Sequence, residues 1–326
     1  MNSLRKWFNQ KSFHYSQFSN INELIEKKEE RNLKISLCLP TLNEGKTIGK
    51  TIEVVQTELV ERYALIDEIA VIDSGSEDNT LEIAKQRGAK TYLSKDYLLD
   101  EGKAKGKGEN LWKALYLLEG DIILYLDADI TNISPHFAYG VLGPLLHDTT
   151  IKFVKAFYTR PLHINNHIHE TNGGRTTEIL VRPLLCQFFP ELTGFVQPLS
   201  GEFAAYRTVF EKLPFPVGYG VELAHLIDII HTWGLDVMAQ VDLDKRIHRN
   251  QSTQSLSKMS FSILQTIWKR LYKYQKIGPI NPNSLTLRQI EKLDSKYNIN
   301  EYEIVENERR PMIEVPIYQS KFYSNL

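Results

Sequence analysis

Asp127 and Asp129 close the run Asp121-Ile-Ile-Leu-Tyr-Leu-Asp-Ala-Asp129. Carboxylates two residues apart on an extended chain point the same way, and offer hard oxygen ligands to a divalent cation that can in turn hold a diphosphate. An isolated Asp-x-Asp is as readily a solvated turn, but three other short segments here carry complementary chemistry. Pro40-Thr41-Leu42-Asn43-Glu44 presents backbone and the Asn43 and Glu44 side chains to a base and ribose, or else caps a helix. Asp73-Ser74-Gly75-Ser76 places a carboxylate suited to a ribose or a uracil edge, with Ser76 and Asp78 available to cap the next helix. Gly102-Lys-Ala-Lys-Gly-Lys-Gly108 joins glycines, which let backbone approach a phosphate, to lysine charges that include Lys107. Its plainer reading is a solvated basic loop.

Further along, Gly173-Gly174 ahead of a helical pattern offers unpaired N–H groups at a positive dipole end. Arg175 adds a planar fork for carboxylate or phosphate and Thr177 a hydroxyl, which together suit a small dianion. The competing interpretation is an ordinary helix start with an exposed arginine. Glu222 follows Gly218-Tyr-Gly220 at another helix start, where it can position an acceptor hydroxyl, accept its proton, or cap the helix. His163, His167 and His169 crowd together, but their spacing matches no recognised metal site and reads as a loop.

These residues need a scaffold that brings them together. Short apolar runs at 34–39, 68–73 and 122–126 read as strands buried on both faces, and 90–93 as a short strand. Helical patterns at 48–63, 80–87 and 109–118 separate them, with Gly88 placed to end the second. This alternation predicts right-handed βαβ units and an α/β fold with a mainly parallel sheet flanked by helices, whose ligands gather at the C-terminal ends of the strands. Later, 151–158 and 236–241 read as strands, 176–188, 223–233 and 256–274 as helices, and 162–172 as a polar loop. The organisation expected is an N-terminal helical arm (1–33), a main α/β domain (34–250, divided at 130 into two halves) and a helical C-terminal extension (251–326).

A net charge of −1 provides no field for nucleic acid. No apolar stretch nears the roughly 20 residues of a membrane helix, and Met1-Asn-Ser-Leu-Arg-Lys-Trp-Phe8 lacks a signal-peptide core. The expectation is a cytoplasmic protein with neither nucleic-acid nor membrane partners. Cys38 and Cys186, both in apolar runs, read as buried thiols.

Pro40-Thr-Leu-Asn-Glu44, Ile72-Asp-Ser-Gly-Ser76 and Asp127-Ala-Asp129 resemble the nucleotide-binding loops and metal motif of nucleotide-sugar glycosyltransferases of the GT-A (Rossmann-like) fold. Gly106-Lys-Gly-Glu-Asn-Leu-Trp112, Asn172-Gly-Gly-Arg175, Gln197-Pro-Leu-Ser-Gly-Glu202, Gly218-Tyr-Gly-Val-Glu222 and His248-Arg-Asn250 narrow the resemblance to the glucosyl-3-phosphoglycerate synthase family. Thr41 stands where that family often has alanine, and Ala128 where it often has serine; neither change removes a ligating group. The resemblance implies retaining transfer of glucose from UDP-glucose, or another nucleoside diphosphate glucose, to the 2-hydroxyl of 3-phospho-D-glycerate by a homodimer. It implies donor contacts from Pro40, Thr41, Leu42, Glu44, Ser74, Lys107, Asp127 and Ala128. Mg²⁺ or Mn²⁺ would sit on Asp129 and His248, and the acceptor on Gly174, Arg175, Thr177 and Asn250. Asp129, Lys107 and Glu222 are the expected catalytic residues, with Asp129 rather than Asp127 on the metal and Asp127 facing the ribose. The residues leave open a GT-A hexosyltransferase with another acceptor or a mannose donor, and a non-catalytic nucleotide-sugar-binding protein.

Overall fold

A computed structural model describes residues 2–160, 162–164, 167–169, 174–247, 251–279, 284–294 and 296–324. In chain order the elements are α1 (Asn2–Lys11), β1 (Ser12–His14), α2 (Ile21–Glu30), β2 (Ile35–Thr41), α3 (Ile48–Val55), β3 (Glu68–Asp73), α4 (Thr80–Gln86), β4 (Lys90–Leu93), α5 (Lys107–Leu117), β5 (Ile122–Tyr125), α6 (His136–His147), β6 (Phe153–Thr159), β7 (Leu162–Ile164) and β8 (His167–His169). They continue with α7 (Arg182–Phe188), β9 (Phe203–Tyr206), α8 (Arg207–Phe210), β10 (Phe215–Pro216), α9 (Val221–Trp233), β11 (Met238–Lys245), α10 (Thr253–Lys273), β12 (Thr286–Leu293), β13 (Lys296–Glu303), β14 (Glu308–Arg309) and α11 (Pro316–Phe322).

Eight strands form one sheet in the order β1-β11-β6-β9-β5-β2-β3-β4. β9 runs antiparallel to both neighbours, and the other pairings are parallel. The apolar runs become central strands because successive side chains feed opposite cores. Ile123 and Tyr125 join one buried cluster, with Leu111 and Leu115 of α5, Leu223 and Ile227 of α9, and Ile263 and Ile267 of α10. Ile122 and Leu124 join the other, with Ile48 and Ile52 of α3 and Phe137 and Val141 of α6. Continuous hydrophobicity is what such two-faced burial demands. Gly88 ends α4 in the left-handed region, at φ +85°.

Several expectations need correction. The 48–63 helical pattern is α3 continued by a π-helical stretch, Gln56–Arg62. Within the polar loop expected at 162–172, β7 and β8 pair as an antiparallel hairpin; residues 170–172, like Gly173, lie outside the described residues, as do the side chains of His163, His167 and His169. Cys186 is exposed while Cys38 is buried. The apolar run around Cys186 is helical, so Leu185 and Phe189 turn inward and Cys186 does not. The N-terminal arm is not helical throughout: β1 pairs with β11, and the Trp7 indole donates to the carbonyls of Leu235 (3.1 Å) and Met238 (3.0 Å). The C-terminal stretch carries α10 and α11, but also the β12–β13 hairpin and β14, which pairs with β10. Among the described residues no helix is long and apolar enough to cross a membrane.

Candidate active site

β2, β3 and β5 end side by side, and the loops beyond them face α5 and the second half of the chain across a cleft of about 510 Å³. Pro40, Thr41, Leu42, Glu44, Ser74, Lys107, Asp127, Ala128 and Asp129 all line it. So do Gly174, Arg175, Thr177 and Glu222. His248 and Asn250 lie outside the described residues.

The first two loops are laced together before any ligand is considered. The Asp73 carboxylate is fully buried and accepts hydrogen bonds from Thr41 Oγ1 (2.7 Å), Gly75 N (2.8 Å), Ser76 N (2.6 Å) and Ser76 Oγ (2.5 Å). It builds the loop, and has no capacity left for the ribose or uracil edge expected of it. Asn43 adopts φ +60°, and its Oδ1 accepts from Glu77 N at 2.8 Å. Its side-chain carbonyl is thereby committed to the neighbouring loop rather than to a base. Ser76 serves Asp73 and Asn43 instead of capping α4, whereas Asp78 accepts from Thr80 N (3.1 Å) and Gly45 N (3.0 Å).

The Gly106 and Gly108 positions also find a different explanation. A Cβ at either would collide with the backbone of Pro216–Val217, and Glu109 N donates to Val217 O at 3.1 Å. The glycines bring the start of α5 against a segment of the second half of the chain. That contact sets Lys107, whose Nζ lies 2.5 Å from Asp127 Oδ1 and 2.7 Å from Glu222 Oε1. Burial disfavours the ammonium, but Asp127 and Glu222 outweigh it and hold Lys107 firmly charged. Burial likewise pushes Asp127 toward protonation, and Lys107 and Arg246 reverse it, keeping the carboxyl well below its usual range.

Arg246, just past β11, lies between three carboxylates. Its Nη2 is 2.6 Å from Asp129 Oδ1 and 3.0 Å from Asp127 Oδ2, and its Nε is 3.0 Å from Glu202 Oε1. The last contact is an ion pair without hydrogen-bond alignment. Glu202 Oε2 accepts from the Tyr158 hydroxyl at 2.5 Å, and Arg160 Nη2 donates to that hydroxyl at 2.7 Å. Burial raises the Glu202 carboxyl, with Arg246 opposing. Lys155, beneath them on β6, is buried and donates to Ser200 O at 2.8 Å; burial pushes its ammonium down to about 7, against the pull of Glu222. Arg246, Glu202, Tyr158, Arg160 and Lys155 were not among the expected site residues. Lys155 did carry a signal, as a lone charge inside Phe153-Val-Lys-Ala-Phe157.

Glu44 reports on the charge of this region. Burial, and then the Asp129 charge, raise its carboxyl to about 7, with Asp127 adding to the effect and Thr47 opposing. Glu44, Asp127 and Asp129 line one cleft, and their oxygens are the hard donors that fit Mg²⁺ or Mn²⁺. Among the described residues no three His, Cys, Asp or Glu side chains converge as a complete ligand set.

Across the cleft, Gly174 adopts φ +92° and Thr177 is buried. Arg175 turns toward the start of α10, donating to Gln251 O (2.6 Å) and Thr253 Oγ1 (3.2 Å), while still lining the cleft.

Residues 36–184 match the Glycosyl transferase family 2 domain. The chain is 52% identical over 312 residues, 96% of each sequence, to glucosyl-3-phosphoglycerate synthase from Petrotoga mobilis. The chain belongs to the glucosyl-3-phosphoglycerate synthase family. Membership makes it a glycosyltransferase, and its mainly parallel, helix-flanked sheet is the GT-A fold of that family. The crystal structure of mannosyl-3-phosphoglycerate synthase from Rubrobacter xylanophilus superposes with a TM-score of 0.89 at 38% identity, covering 95% of this chain and 99% of that one. Glucosyl-3-phosphoglycerate synthase from Mycobacterium tuberculosis, solved with Mn²⁺, uridine diphosphate and phosphoglyceric acid, gives 0.79 at 38% identity over 90% and 94%. The same relative is also solved with Mg²⁺ and uridine diphosphate.

Proposed function

We propose that this protein transfers glucose from UDP-glucose to the 2-hydroxyl of 3-phospho-D-glycerate, with retention at the anomeric carbon. The observation that carries the reading is the Lys107 bridge. One half-buried ammonium joins Asp127 on the donor side (34–130) to Glu222 on the acceptor side (131–250), inside a cleft that Arg175 also lines.

Pro40, Thr41, Leu42, Ser74 and Ala128 hold the nucleotide through the loop backbone, with Glu44 and Asp127 nearby. A divalent cation on Asp129 and His248 supplies Lewis-acid charge for the diphosphate when bound. Lys107 adds a fixed positive charge where negative charge develops on the leaving group. Gly174, Arg175, Thr177 and Asn250 seat the acceptor's phosphate and carboxylate, and Leu256, Met259 and Ile263 of α10 close that side. The acceptor's 2-hydroxyl is thereby held against the leaving-group face of the sugar, with Glu222 orienting it. The bond from C1 to the diphosphate oxygen breaks as the bond from C1 to the acceptor oxygen forms, and the acceptor hydroxyl's proton passes to the departing diphosphate oxygen on the same face.

The test is turnover of UDP-glucose with 3-phosphoglycerate in the presence of Mn²⁺ or Mg²⁺. Asp129→Ala should abolish transfer, and Arg175→Ala should raise KM for the acceptor about tenfold or more while leaving donor affinity nearly unchanged. Absence of turnover with 3-phosphoglycerate, or equal losses for both substrates in Arg175→Ala, would overturn the assignment. Likeness to the mannosyl enzyme favours a second reading, mannosyl transfer to the same acceptor, which a GDP-mannose arm of the assay decides.

The reading includes a cytoplasmic homodimer. Both substrates are phosphorylated anions that do not cross membranes unaided, and Cys38 and Cys186 are free thiols. The dimer is supported by the outer face of β12–β13, where Ile290 pairs with Ile299 and Tyr297 lies alongside, all more than half exposed.

A further inference from the structure

The proposed reaction leaves residues 304–310 without a part, yet they thread back to the cleft. Arg309 and Glu308 of β14 pair with Phe215 and Pro216 of β10, and Val217 N donates to Asn307 O at 2.9 Å. The next amide, Gly218 N, donates to Glu306 Oε1 at 2.6 Å. A Cβ on Gly218 would lie 2.7 Å from Glu306 Oε2, so the carboxylate rests directly on that glycine. Segment 216–218 is therefore held from one side by the C-terminal strand and from the other by Gly106 and Gly108, which flank Lys107. Four residues beyond Gly218 stands Glu222, the second partner of Lys107.

Glu306 is itself held firmly. It is buried, its N–H donates to Gln265 Oε1 at 3.0 Å, and its carbonyl accepts from Lys269, both on α10. Arg309 grips α5 independently, through Glu109 at 2.7 and 2.9 Å.

We propose that Glu306 is a positioning residue of the active site: by accepting the Gly218 amide it fixes the 216–222 segment and, through it, the Lys107–Glu222 pair. This rests on the reading of the cleft as the glucosyl-transfer site. Burial raises the Glu306 carboxyl to about 7; the Gly218 N–H and Lys269 of α10 oppose this, and Glu222 of α9 and Glu308 of its own segment add to it. A neutral side chain with a carbonyl acceptor in the same place should therefore serve as well as the carboxylate.

The experiment compares E306A and E306Q in the full chain, with kcat and KM for UDP-glucose and 3-phosphoglycerate. E306A leaves the Gly218 N–H without its protein acceptor and frees the 216–222 segment, and should lower kcat about tenfold, with KM for UDP-glucose within about twofold. E306Q should stay within about twofold of the parent in both constants. Should E306A fail to accumulate as folded protein, E306D, one methylene too short to reach Gly218, should show the same kcat loss. Hydrogen exchange provides a readout independent of substrate: the amides of residues 217–220 should exchange faster in E306A or E306D, and those in the middle of α9 should not. Parental kcat in E306A or E306D, a loss in E306Q as large as in E306A, or unchanged exchange would each overturn the proposal. If the parent does not turn over 3-phosphoglycerate, the reading of the cleft fails, and the exchange comparison still decides the role of Glu306.

Discussion

At the scale of single residues, Arg246 gathers three carboxylates around one guanidinium. It is buried against Glu202, which is itself buried, and reaches Asp127 and Asp129 at the floor of the cleft. Removing one member of such a group strands the others, at a typical cost of about 3–5 kcal/mol. Arg246→Ala should therefore lower unfolding stability by that order in urea titrations. Arg246→Lys should recover part of the stability and little transfer activity, because one ammonium cannot span both sides as a guanidinium does. Lys155 sets a pH dependence of a different kind. Its folded pKa, near 7, lies below the ordinary lysine value of 10.5, so between those limits the unfolded chain binds the extra proton. Stability from this residue rises with pH across that window, by at most about 1.4 kcal/mol per pH unit, and is lost as pH falls toward 7. Lys155→Met should lack this component, so its stability relative to the parent should decline steadily in urea titrations from pH 7 to 9. The sequence exposed Asp127, Asp129, Glu44 and Lys107 because charges beside apolar runs stand out. It hid Arg246, whose bond to Asp129 spans 117 positions and exists only once β11 has entered the sheet. It left the roles of Asp73 and Asn43 open because a side chain that builds a loop and one that binds from it have the same chemistry.

At the scale of elements, β3 and β4 could be read directly, since short apolar runs between helices have few other fates. The β12–β13 hairpin was not legible. Thr286-Leu-Arg-Gln-Ile-Glu-Lys-Leu293 is rich in residues that favour helix, and only its pairing with Lys296–Glu303 makes it a strand. That pairing places Ile290, Ile299 and Tyr297 on one face, flanked by the Arg288–Glu301 ion pair. If this face joins two copies, Ile290→Lys should shift the protein from dimer to monomer in sedimentation velocity while leaving its melting temperature within a few degrees. An unchanged dimer would place the interface elsewhere. The glycines of 102–108 belong to this scale too. Their composition suggested a phosphate cradle, and two of them serve instead to let one backbone pass another.

For the whole molecule, both ends of the described chain enter one core. Trp7 near the start, and Met312, Val315 and Tyr318 near the end, belong to the same buried cluster as Trp112. Arg270 of α10 ties Asp228 of α9 (2.8 Å) to Glu308 of β14 (2.6 Å), so one guanidinium joins two helices and the C-terminal strand. Such closure was invisible in the polar composition of the tail, where a few apolar residues do the anchoring. The antiparallel strand β9 has a consequence for biosynthesis. β4, β3, β2 and β5 are all made by Tyr125, and their parallel pairings need nothing from later in the chain. The partner that covers the outer edge of β5 begins only at Phe203. Throughout the synthesis of the intervening stretch, the nascent chain carries Ile122-Ile-Leu-Tyr125 as an apolar strand with one row of open backbone groups, the form most prone to pair with a neighbouring chain. Ribosomal pausing or premature termination before β9 would yield an aggregating fragment rather than a half-active enzyme, and a chaperone acting on this protein would find its substrate in that interval.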